Sequence, residues 1–149
     1  MTRASRLTAA GLAAALLVTA GLVLVAAQGP TADLPGAVRI AKPVLADGKP
    51  LAAGTYRLRL STAPVTPVLG QPEGSAVWVE VLQGDEVKGR ELATVVLPAE
   101  VTAIQKEGDP PPAGRARVDV LAGGDYLRVW VNRAGTHYLI HLAIVKTKF

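Results

Sequence analysis

From Val38 onward apolar residues recur at every second position, the period of a strand with one buried face and not the 3.6 of a helix. Val38 and Ile40 flank Arg39 in a first short strand. Tyr56, Leu58 and Leu60 alternate with Arg57 and Arg59, and Val77, Val79 and Val81 alternate with Trp78 and Glu80. Ala116, Val118 and Val120 interleave with Arg115, Arg117 and Asp119; Leu127, Val129 and Val131 interleave with Tyr126, Arg128 and Trp130. Leu92–Leu97 and Thr136–Val145 are apolar on both parities, as strands covered on both faces are. Val101–Gln105 offers one more short strand.

Turn chemistry separates these runs. Asp47-Gly48, Gly84-Asp85 and Gly123-Gly124-Asp125 suit tight turns because glycine accepts positive φ, and Asn132-Arg133-Ala134-Gly135 closes the last hairpin. No stretch after residue 28 offers ten helical residues with an apolar stripe. Seven or eight short strands at roughly 8–12-residue spacing predict an all-β domain over 37–149. An antiparallel β-sandwich is the expected form, and a small β-barrel is the alternative. Two connections are long and proline-rich: Thr62–Gly74 with Pro64, Pro67 and Pro72, and Lys106–Gly114 with Pro110, Pro111 and Pro112. They are semi-rigid loops that blunt sheet edges or, as long loops in compact domains often do, form a binding surface.

Residues 47–58, Asp-Gly-Lys-Pro-Leu-Ala-Ala-Gly-Thr-Tyr-Arg-Leu, place a glycine turn ahead of a strand whose first inward residue is Tyr56. Gly54 permits close approach of a neighbouring backbone. This stretch resembles a recurring segment of exported bacterial immunoglobulin-like and prealbumin-like β-sandwich modules, among them flagellar hook-capping and carboxypeptidase-regulatory-like domains. The resemblance implies an exported adaptor or structural module and brings no catalytic residues with it.

The first 27 residues have another character. Arg3 and Arg6 precede an uncharged run, Leu7–Ala27, rich in Leu, Val and Ala, which ends Val25-Ala26-Ala27 before Gln28. That is the layout of a cleaved signal peptide. Arg3 and Arg6 are not adjacent, which argues against a twin-arginine signal. The competing reading is an uncleaved anchor, since 21 residues as a helix measure about 31 Å, enough to span a bilayer. In both cases the positive end stays inside and the domain is delivered to the periplasm or the exterior. Residues 28–36 then form a linker.

Composition narrows the chemistry. Of 149 residues 50% are hydrophobic and 19% charged, the mean hydropathy is +0.31, and there is no cysteine. Disorder is excluded, as are disulfides, thiolate metal sites, cysteine nucleophiles and lipoprotein attachment. The formal charge is +4. Without its first 27 residues, which hold Arg3 and Arg6 and no acid, the chain keeps 14 basic against 12 acidic residues. A net +2 is a solvated surface and not a nucleic-acid footprint.

No catalytic constellation emerges. His137 and His141 are the only histidines, and on a strand four residues cover about 13 Å, too far for two imidazoles to share one ion. Ser61 and Ser75 are the only serines beyond residue 28, and Glu73-Gly74-Ser75-Ala76 lacks the second glycine of a nucleophile elbow. Asp85 and Glu86 lie in a hairpin turn, where carboxylates are solvated. Neither a metal nor a cofactor is expected.

One surface stands above background. With Arg128 facing water, Tyr126 and Trp130 fall on the same side, and Trp78 shares the outer parity with Glu80. If those strands are neighbours, Trp78, Tyr126, Arg128 and Trp130 form an outward patch able to stack on a glycan or dock an envelope protein. The alternative is cross-strand pairing that only stabilises the sheet. The function expected is a non-catalytic envelope module with a binding or structural role; the alternatives are a small periplasmic enzyme and a membrane-tethered accessory subunit.

Overall fold

The structure is a computed structural model and describes residues 32–105 and 108–147. The export segment expected over residues 1–27 lies outside them. Among the described residues no helix is long and apolar enough to cross a membrane. Strand accounts for 56% of the described residues and helix for 7%. The order is β1 (Ala32–Ile40), β2 (Val44–Ala46), β3 (Lys49–Leu51), β4 (Gly54–Leu60), β5 (Ala76–Gln83), β6 (Glu86–Val96), a 3-10 turn (Pro98–Glu100) running into the short α1 (Val101–Ile104), β7 (Arg115–Val120), β8 (Tyr126–Arg133) and β9 (Thr136–Ile144).

These nine strands form one open sheet, antiparallel throughout. Its main path runs β1-β4-β5-β6-β9, continues through β8 to the edge strand β7, and carries the β2–β3 hairpin on the far half of β9. β1 lies against β7 and β8, so the sheet curls over its own inner face. That face collects the core: Val38 and Ile40, Tyr56 and Leu58, Val79 and Val81, Ala93, Leu127, Val129 and Val131, Tyr138, Ile140 and Leu142. The period-two reading assigned the inward side of β1, β4, β5 and β8 as found; only Val120, the last residue of β7, is exposed instead of buried.

Local chemistry fixes several details. The Tyr56 hydroxyl donates to Ala52 O at 2.6 Å, so a buried ring pins the chain entering β4. Gly89 stands opposite Val81, and a Cβ there would come within 3.2 Å of Ala46 Cβ, so its bare backbone gives the β2–β3 hairpin room to pack. That hairpin, β2 and β3, is a pair of strands absent from those expected.

Two boundaries differ from expectation. β1 begins at Ala32, inside the expected 28–36 linker, because Leu34 is a core residue and Pro35-Gly36 forms an irregularity between Asp33 and Ala37 without ending the strand. Val101–Gln105 is helical and not a strand. Pro98 opens the turn, and the Glu100 carboxylate accepts the Leu97 N–H at 3.1 Å, which are helix-start devices.

Candidate binding surface

The four residues of the expected patch do not share one exposed face. β5, which carries Trp78, is separated from β8 by β6 and β9. Trp130 is fully buried and Arg128 is 2% exposed, whereas Tyr126 is exposed and Trp78 half-buried. The outward parity of Arg128 and Trp130 is correct. Their exposure is not, because the chain itself covers that side of β8.

The cover is the connection from β6 to β7. Val101 and Ile104 pack on a second apolar cluster of Val96, Trp130 and Leu139, on the sheet face opposite the main core. Further along, Asn132 Nδ2 donates to Pro111 O at 2.8 Å and Arg117 Nη1 donates to Asp109 O at 2.6 Å. The Asn132 Oδ1 accepts the Gly135 N–H, which ties the same side chain to the β8–β9 turn. The described parts of this connection lie on β7, β8 and β9.

Beneath it Trp130 Nε1 donates to His137 Nδ1 at 2.8 Å. An indole N–H can only donate, so Nδ1 carries no proton and the imidazole is in its Nε2–H form. Burial holds the His137 pKa below its ordinary 6.5. The unfolded chain, with the ordinary value, therefore binds a proton that the folded chain resists. Stability from this site is complete above about pH 6.5 and declines as pH falls below it. Urea midpoints should drop between pH 7.5 and 5.5, and His137→Gln, which still offers Trp130 an acceptor, should flatten that drop. An equal slope in the variant would remove His137 as the cause.

Arg128 lies 5.1 Å from the Trp130 ring centre, measured from Cζ, and its Nη2 stands 3.5 Å from Asp119. Asp119 also takes both bonds of Arg117 Nε, at 2.8 and 3.0 Å. Trp78 lies on a wetter part of the outer side: Arg90 sits over its ring at 4.1 Å, the Trp78 Nε1 donates to Pro64 O, and farther along β5 Glu80 pairs with Arg59 of β4 at 2.6 Å. These contacts hold strands and loops to one another.

His137 and His141 both lie on strand β9, as the apolar run 136–145 implied, the first buried and the second exposed. Among the described residues no group of three or more His, Cys, Asp or Glu side chains could hold a metal ion. Ser75 Oγ donates to Pro72 O and Ser61 Oγ accepts the Ala63 N–H, so both serines shape the Thr62–Gly74 loop. Asp85 and Glu86 pair with Arg57 and Lys88 at the surface.

The most exposed large apolar side chains lie elsewhere. Val68 and Leu69, at the tip of the first proline-rich loop, are 59% and 104% exposed. An apolar groove of about 620 Å³ runs beside that loop, between Pro72–Ser75, Thr94–Leu97 and Ala103–Ile104. The sequence signal for it is the absence of charge from Thr62 to Pro72. Comparison of the chain with protein-family models, curated proteins and solved structures finds no match.

Proposed function

We propose that the chain is a non-catalytic, exported β-sandwich-like module of the bacterial cell envelope, acting through a binding or structural surface. The observation that supports this most is the pairing of a positively charged, then uncharged N-terminal run with a curled β-sheet that leaves an apolar loop tip in solvent. Exposed apolar surface of that kind marks contact with a partner or a membrane. The stretch 47–58 and the buried Tyr56 tied to Ala52 O agree with the immunoglobulin-like or prealbumin-like class. A second reading, a membrane-tethered accessory subunit, is favoured by the four residues that join Ala27 to β1.

Export is tested with the full chain carrying a C-terminal tag in a bacterium. Protease added to spheroplasts should digest the tagged domain while a cytosolic marker survives. A domain digested only after lysis would overturn the proposal.

A further inference from the structure

Antiparallel order sorts the connections between two ends of the sheet. Ala32 pairs with Leu60, Ala76 with Thr94, Val96 with His137 and Arg115 with Asn132. The start of β1 therefore shares one end with both long connections, 61–75 and 97–114. The β2–β3 hairpin and the turns at 84–85 and 121–125 lie at the other end. The chain leading back to residue 27 enters at the end where Val68, Leu69 and Leu97 are exposed.

The tip at that end is built. Ser61 N donates to Trp78 O and Pro64 O accepts the Trp78 indole, which fix the base of the loop. Gln71 N donates to Val68 O across Gly70, whose φ of +87° a side-chain-bearing residue would resist. Leu69 is thereby held outward by a defined turn.

The length of the connecting chain says what meets it. Residues 28–31 reach at most about 18 Å from Ala27 to Ala32, even fully extended. With Leu7–Ala27 retained in the bilayer, this end of the sheet sits at the membrane surface, and the opposite end stands about 30 Å farther out along β1. The tip is uncharged, and the charged residues that line the groove, Glu73 and Glu100, are acidic. An apolar lipid interface suits it better than anionic headgroups. We infer that the Val68–Leu69 tip enters the bilayer interface as a second point of attachment. This rests on the tethered form of the proposed function.

The chain has no cysteine, so Leu69→Cys gives a single site for an environment-sensitive fluorophore, and Leu69 is exposed enough for the substitution to leave the fold alone. Asp85→Cys, at the opposite end, is the control. The full chain is reconstituted in phosphatidylcholine vesicles with and without nitroxide-bearing lipid. The label at 69 should emit at shorter wavelength and be quenched several-fold more by the nitroxide lipid than the label at 85. Equal, weak quenching at both sites overturns the inference. So does a shorter-wavelength emission without lipid quenching, which would mean a second copy covers the tip. Intact mass of the chain recovered from cells separates the two proposals: a species beginning at Gln28 overturns the tethered tip and leaves export standing.

Discussion

Trp130→Ala is expected to destabilise the domain by about 3–5 kcal/mol, the usual cost of removing a large aromatic side chain from a packed interior. Trp130 has no exposed surface; it is clasped between Val96 and Leu139 of the sheet and Val101 and Ile104 of the covering connection. Its loss opens a cavity between two layers and leaves His137 Nδ1 without its donor. Against a total stability of about 5–15 kcal/mol for a domain of this size, the urea midpoint should fall by a large fraction. Trp130→Phe separates the two contributions. It keeps most of the packing and removes only the indole N–H, so it should cost about 1–3 kcal/mol, the penalty for an unsatisfied buried acceptor. An unchanged midpoint in Trp130→Ala would mean that the connection does not lie on β8, and the ring would again be available as a surface for ligands.

The same residue shows where local pattern stops informing. Alternation places Leu127, Val129 and Val131 on the core face of β8, and they are there. It places Arg128 and Trp130 on the opposite face, and they are there too. The error lies in equating that face with solvent, because a guanidinium in an alternating strand reads as water-facing. The layer over Trp130 comes from Val101 and Ile104, more than twenty residues earlier in the chain, and no two-residue period reports a non-local cover. A sign was nevertheless present in β9, apolar on both parities and hydrogen-bonded to β8 with Leu139 opposite Trp130. A strand covered on both faces implies that its neighbour is covered as well. The helix start at Pro98–Glu100 was equally local, yet the β-branched residues of Val101–Gln105 suggest a strand when the proline and the glutamate three residues beyond Leu97 are passed over. Pro35-Gly36 misleads in the other direction: the pair reads as a linker, while the contact that keeps the strand going is Leu34 in a core assembled from distant strands. The exposed tip at Val68–Leu69 was legible only as an uncharged stretch, since sequence alone does not show that the turn across Gly70 holds both side chains outward.

Asp119→Ala should cost about 2–3 kcal/mol, below the 3–5 typical of breaking a fully buried ion pair because this carboxylate keeps partial access to water. One carboxylate serves two cations: Arg117 holds it through both oxygens, and buried Arg128 stands 3.5 Å from Oδ2. Removing it leaves the Arg128 guanidinium inside with less negative charge beside it, and frees Arg117 from the geometry that aims its Nη1 at Asp109 O. The second effect loosens the covering connection at the point where it crosses β7. Arg128→Met in the Asp119→Ala background tests which effect dominates. An apolar side chain of similar length removes the buried charge that has lost Asp119 and keeps contact with the Trp130 ring, so the urea midpoint should recover in part. Recovery would assign the cost to the buried cation. A double variant less stable than Asp119→Ala would place the cost in the loosened connection, and limited proteolysis between Gln105 and Gly114 should then be faster in both variants than in the parent chain.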